Sequence, residues 1–191
     1  INVGEESTGI FLSDGVSVEN LGTAEINGTG NKAVGIYSEN TAAGIVQITN
    51  DNKINLAGEQ SIGIYTSGNH NISNTGNIIT GNSSDPDQPG VGIYQDGNLG
   101  SVSNTGTVNV GDNSIGIYNI NGTVTNSGSV TAGNGGTGIY TNGGTLNLNS
   151  GSSITVGGNN AIGIYALNQT GTVTNNSAVT IGDSSYGFVF S

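Results

Sequence analysis

Cysteine is absent from this 191-residue chain. That excludes a disulfide framework, thiol catalysis and a thiolate metal site. It does not by itself assign a reducing compartment, because a surface protein that crosses a membrane unfolded also does well without disulfides. Arginine is absent too. Lys32 and Lys53 face 13 acidic residues, for a net charge of −11. Two cations cannot neutralise a phosphate backbone, so nucleic acid is excluded as a partner, and so is an anionic membrane surface. Low positive charge with many polar side chains suits a protein that stays soluble outside a cell. No apolar run approaches the roughly 18 residues of a membrane span, and no stretch has the pattern of a signal peptide.

Glycine, by contrast, is abundant, with 35 copies against 32% hydrophobic and 8% charged residues. Such a composition can mean disorder. Regular apolar spacing argues otherwise. Gly-Ile-Tyr recurs at Gly35-Ile36-Tyr37, Gly63-Ile64-Tyr65, Gly92-Ile93-Tyr94, Gly116-Ile117-Tyr118, Gly138-Ile139-Tyr140 and Gly163-Ile164-Tyr165. Degenerate copies stand at Gly9-Ile10-Phe11 and Gly187-Phe188-Val189, giving Gly-to-Gly intervals of 26, 28, 29, 24, 22, 25 and 24 residues. A period in the twenties is the mark of a solenoid, each repeat being one turn of a stack.

Each repeat also carries a second string. Val102-Ser103-Asn104-Thr105-Gly106-Thr107-Val108-Asn109-Val110 is followed one repeat on by Val124-Thr125-Asn126-Ser127-Gly128-Ser129-Val130-Thr131-Ala132. Three short alternating runs, separated by Gly/Asn/Ser turns, make up the repeat, and β-branched residues fill the apolar sites. Nothing has helical spacing. The fold class is therefore all-β, a parallel β-helix with three short strands per turn of about 25 residues, in one segment over residues 1–191. Eight turns at about 4.8 Å give a rod on the order of 38 Å long. Antiparallel hairpins, the alternative that Asn-Gly turns allow, do not require one residue at one register in every repeat. A right-handed coil is the expectation from the general rule for parallel crossovers.

Strict alternation sets expectations for the faces. Val34/Ile36, Ile62/Ile64, Val91/Ile93, Ile115/Ile117 and Ile162/Ile164 form the interior column, with Thr137 as a polar intrusion. Gly63 and its equivalents then face out beside Tyr37, Tyr65, Tyr94, Tyr118, Tyr140 and Tyr165. Those six rings form an outer ladder over bare backbone. It is read first as a stabilising ladder, and second as a platform for a sugar or protein partner. A further column, Asn20, Asn50, Asn74, Asn104, Asn126, Asn149 and Asn175, reads as an amide ladder at a corner. The residues after each repeat-ending glycine are Glu5, Asn31, Glu59, Asn82, Asp112, Asn134, Asn159 and Asp183. No two acids there fall on neighbouring turns, as like-charge repulsion requires.

No catalytic, cofactor or metal site is expected. Carbohydrate-cleaving β-helices need clustered carboxylates, or carboxylates with a cationic residue. His70, the single histidine, lies in the turn Gly68-Asn69-His70-Asn71 and reads as solvated. One insertion breaks the period, Ser83-Ser84-Asp85-Pro86-Asp87-Gln88-Pro89-Gly90, with both prolines of the chain. It must leave the rod as a loop at 83–90. Loops on solenoids often carry recognition. The insertion reads first as a simple solvated loop; Asp85 and Asp87 are candidates for partner contact, and as a calcium pair they lack further ligands.

With repeats built on Gly-Ile-Tyr and Val-x-Asn-x-Gly-x-Val, the chain resembles, over essentially all its length, the very large autotransporter adhesins of fusobacteria. The resemblance implies a right-handed β-helical passenger, displayed at the cell surface and anchored in the outer membrane through a C-terminal β-barrel outside this segment. It further implies adhesion to host cells or other bacteria, through a surface protein or a glycan, without catalysis. Both ends stop in mid-pattern, with no capping helix, so the rod is expected to continue in both directions. Two other functions fit a β-helix. A polysaccharide-cleaving enzyme of the tailspike or lyase kind would need the missing carboxylate cluster. An ice-binding solenoid would need a flatter threonine face than Thr107/Asn109, Ser129/Thr131 and Ser153/Thr155 provide.

Overall fold

Parallel pairing joins every turn to the next. The computed structural model describes residues 1–97 and 99–191. All described regular structure is strand, in three parallel sheets of 8, 8 and 7 strands. One turn illustrates the rest. Ile62–Gly68 lies in the tyrosine sheet, His70–Asn74 in the asparagine sheet and Asn77–Thr80 in the third sheet, before Val91–Asp96 begins the next turn. Register is residue-on-residue: Tyr65 pairs with Tyr94 and Tyr94 with Tyr118, while Asn74 pairs with Asn104. A parallel β-solenoid of about 8 turns results, as the period and alternation require.

The core runs along the axis. Ile36, Ile64, Ile93, Ile117, Ile139 and Ile164 are fully buried from the tyrosine sheet. Ile48, Ile72, Val102, Val124 and Leu146 meet them from the asparagine sheet, and Ile54, Ile78, Val108, Val130 and Ile154 from the third. Like stacks on like at each step, so each methyl row loses water contact along its length at about 25 cal/mol per Å².

The tyrosine strand departs from strict alternation. In Ile62–Gly68, Gly63 and Ile64 are both buried, while Ile62 and Tyr65 are half-buried outside. A Cβ built on Gly63 would stand 2.5 Å from Ile78 Cγ2 and 2.6 Å from the Gly92 carbonyl oxygen. At Gly138 the corresponding contacts are Ile154 Cγ2 at 2.6 Å and the Gly163 oxygen at 2.6 Å. The glycine therefore faces the core, where the third sheet leaves no room for a side chain. A local bend sets two consecutive residues inward, as a bulge does. This corrects the expected interior column. Val34, Ile62, Ile115 and Ile162 are half-exposed on the outer face, and only Val91 of that set is buried. Thr137 lies in the same outer column, so it is no intrusion into the core.

Candidate binding faces

Six tyrosines line one outer face, as the repeat spacing places them. Phe11 starts the file, 5.4 Å from Tyr37 by ring centroids. Tyr37, Tyr65, Tyr94, Tyr118 and Tyr140 follow at 4.9, 4.7, 4.8 and 4.6 Å, with interplanar angles of 11°, 8°, 6° and 10°. These are offset stacks, the favoured arrangement of aromatic pairs. The rings lie on one another and not on bare glycine backbone, because the glycines face the core. The last step differs. Tyr165 meets Tyr140 edge-on at 5.6 Å and 87°, and the next residue in register is Val189, which offers no ring to stack on.

Packing at this density shields the phenols partly from water. Burial pushes the Tyr94 hydroxyl up to about 12, and the neighbouring Tyr65 and Tyr118 add to the shift. Tyr37 is also pushed up to about 12, chiefly because its hydroxyl donates to Glu39. Tyr65 is raised by burial and then by the charges of Asp96 and Glu39. Three register columns thus run along the face. One is aliphatic: Val34, Ile62, Val91, Ile115, Thr137 and Ile162. The second is the tyrosine file. The third holds Glu39, Ser67, Asp96, Ile120, Asn142 and Leu167.

The asparagine column is an interior ladder over five rungs. Asn20, Asn50, Asn74 and Asn104 each donate from Nδ2 to the Oδ1 of the next, ending on Asn126, every step 2.7 Å long. Asn149 does not join it. Leu148 pairs with Asn126 and is fully buried, while Asn149 lies outside and donates to Ser127 Oγ at 2.8 Å. Asn175 resumes the register beyond Leu148 but is exposed. At the corner before the tyrosine strand, the Oδ1 atoms of Asn31, Asn82, Asp112 and Asn134 accept from the backbone N–H one rung on, at 3.0, 2.9, 2.8 and 3.0 Å. The last donor is Gly158, so Asn159 sits one place off the expected column.

The loop at 83–90 closes on itself. Ser83 is buried, and its Oγ lies 2.7 Å from the Asp85 oxygen and 2.8 Å from the Gln88 oxygen. The Asp87 N–H donates to Asp85 Oδ1 at 3.0 Å, so one carboxylate stabilises the turn and the other is exposed. Among the described residues no group of three or more His, Asp or Glu side chains is placed to hold a metal ion.

His70 is the residue that the turn reading misplaces. It is fully buried, opening the strand His70–Asn74. Its Nδ1 lies 3.1 Å from the Gly68 oxygen, which can only accept, so Nδ1 carries the proton. Nε2 then accepts from Ser38 Oγ at 2.9 Å. Burial pulls the imidazole below its ordinary range, partly opposed by the Gly68 hydrogen bond. The signal was present: His70-x-Ile72-x-Asn74 matches Val46-x-Ile48-x-Asn50 place for place. The residue after each tyrosine was missed in the same way. Ser38, Thr66, Gln95, Asn119 and Thr141 are all buried, a polar file inside the corner.

No known protein-family model, curated protein or solved structure matches this chain. Its fold is established by the geometry above. The described residues enclose no pocket. What the arrangement offers a partner is a face or a loop.

Proposed function

We propose that this chain is a passenger segment of a cell-surface adhesin, a rigid stalk that mediates or supports attachment to host cells or other bacteria. The observation that carries the reading is repetition without a concavity. Eight turns repeat their interior and exterior columns in register, which suits length and stiffness more than turnover. The Gly-Ile-Tyr and Val-x-Asn-x-Gly-x-Val strings, which resemble those of fusobacterial autotransporter adhesins, add the cell-surface setting. Under this reading the segment is extracellular, is anchored in the outer membrane by a domain outside it, and performs no catalysis.

An in-register deletion in the producing cell tests this. Removing residues 92–115 takes out one repeat and rejoins equivalent positions, Val91 to Gly116. A stalk keeps surface display and attachment after that deletion. Retention of the undeleted protein inside the cell would overturn the reading, as would release of new reducing ends from a polysaccharide by the purified segment. Loss of attachment with display intact would make this repeat the binding element itself.

A further inference from the structure

We infer that the tyrosine face docks a protein surface carrying apolar and basic side chains, and not a glycan. This rests on the adhesin reading only in supposing that the face meets a partner. Sugars bind aromatic platforms by laying C–H groups on ring faces, where the negative part of the quadrupole lies. From Tyr37 to Tyr140 those faces are covered by the next ring, at 4.6 to 4.9 Å. Only ring edges and hydroxyls reach the surface. Beside them runs the aliphatic column of Val34, Ile62, Ile115 and Ile162, which offers a sugar hydroxyl no hydrogen bond.

The charges on this face share one sign. Glu39 and Asp96 stand in the third column, within reach of the phenols they perturb. Neither lysine joins them. Lys53 lies on the third sheet, and Lys32 sits in the preceding corner, 3.9 Å from Glu6. A half-exposed apolar band with two carboxylates on one border, Glu39 and Asp96, is complementary to side chains that are apolar or cationic.

A second copy of the chain fits less well. The six-rung band is about 29 Å long at about 4.8 Å per rung and about 10 Å wide, roughly 300 Å². Stable interfaces bury about 800 Å² on each partner, so the band alone suits a weak, transient contact with any protein, and charge is what separates a second copy from another partner. Two copies would also bring together two chains of −11 each. A cationic partner gains from the same field that drives copies apart.

Calorimetric titration of the whole segment with four probes tests the inference. They are an alternating leucine–lysine peptide, an alternating leucine–glutamate peptide, oligolysine of equal length and a neutral chitin oligosaccharide. The leucine–lysine peptide should bind at least about tenfold more tightly than oligolysine, with no binding by the other two. Ile62→Thr with Ile115→Thr should weaken it about tenfold. Thr137 already occupies that column, so the pair should fold, which circular dichroism checks. Glu39→Gln with Asp96→Asn should weaken it several-fold. Glu19→Gln with Glu25→Gln makes the same charge change on the other two sheets and should leave binding within about twofold.

Equal binding of oligolysine, or equal loss in the two charge pairs, would overturn the inference and leave general attraction to an acidic rod. Binding of the oligosaccharide that falls on Tyr118→Ala would overturn it in favour of a glycan. Cell attachment enters none of these readouts. A segment that binds as described yet has no part in attachment removes the adhesin reading and leaves this inference standing.

Discussion

Replacing one asparagine of the interior ladder should cost an amount set by its place in the file. Asn74 is fully buried and takes part in two amide bonds, accepting from Asn50 Nδ2 and donating to Asn104 Oδ1, both at 2.7 Å. Asn74→Leu removes both. Asn50 keeps its bond to the Asn52 oxygen at 3.1 Å, but Asn104 Oδ1 is left in the core without a donor. Asn126 is the last rung. It accepts from Asn104 at 2.7 Å, and its own amide donates to the Gly128 oxygen at 3.3 Å, because Leu148 follows it in register. Asn126→Leu therefore removes one ladder bond and strands no buried acceptor.

Both substitutions bury the same leucine, and both leave one amide N–H of the preceding asparagine unpaired. Those contributions cancel in the comparison. What remains is one bond and one orphaned oxygen, about 1–3 kcal/mol. Urea unfolding followed by circular dichroism should place Asn74→Leu below Asn126→Leu by that amount. Adding Asn104→Leu to Asn74→Leu removes the stranded oxygen, so the double variant should be more stable than the sum of the singles predicts. Equal stability of Asn74→Leu and Asn126→Leu, within about 0.5 kcal/mol, would refute the directional ladder.

Gly63→Ala should destabilise the rod by about 1–3 kcal/mol, because its Cβ meets Ile78 and the Gly92 carbonyl; a change below about 0.5 kcal/mol in urea unfolding would return the glycine to the outer face. Stability should fall as pH drops below the ordinary histidine range. The unfolded chain takes up a proton there that buried His70 refuses, and the decline ends below the depressed folded value. His70→Gln should flatten that part of the profile. At the alkaline end stability should fall from about pH 10, where unfolded tyrosine ionises, towards about 12, where Tyr37 and Tyr94 follow in the folded rod. A spectrophotometric titration in which all tyrosines ionise near 10 would contradict the stacked file. Replacing residues 82–90 by the Asp-Asn-Ser corner of Asp112–Ser114 should leave the rod folded, with leucine–lysine peptide binding within about twofold; loss of that binding would place recognition in the loop.

The fold was legible because a stack multiplies each signal. One Gly-Ile-Tyr means little, but six in register specify a parallel ladder, and Val102-x-Asn104 over Val124-x-Asn126 fixes the next sheet. Errors arose where the backbone breaks period two. Alternation assigns Ile62 and Ile64 to one side, and nothing in the letters announces the bend at Gly63. The cause is three-dimensional, a methyl of Ile78 from a different sheet. His70, Gln95 and Asn119 were missed for another reason. Polar residues at or beside a turn look like solvated turn residues, yet a narrow solenoid corner hides them and pairs one nitrogen of each with nearby backbone. The tyrosine file was legible as an outer row. That its rings cover one another, which bears on the class of partner, depends on a stacking geometry that spacing cannot supply.

The inward glycine also explains why so much apolar surface lies outside. A strand that alternates strictly places half its residues in the core. Here each tyrosine strand turns two neighbours inward, Gly63 and Ile64 in that turn, and the flanking Ile62 and Tyr65 both fall outside. A single hairpin would expose that pair fully. In the stack each ring is covered by its copy one rung away, and each aliphatic side chain has its own copies above and below. Most of the hydrophobic surface is thus hidden by repetition, and the half-exposed remainder runs along one face, interrupted at the buried Val91. Three consecutive rungs of the bordering column carry Glu39, Ser67 and Asp96, so the acids are separated by a neutral residue. That spacing limits repulsion within the column and still leaves two carboxylates beside the first half of the band. The residue that makes the core fit therefore also creates the face.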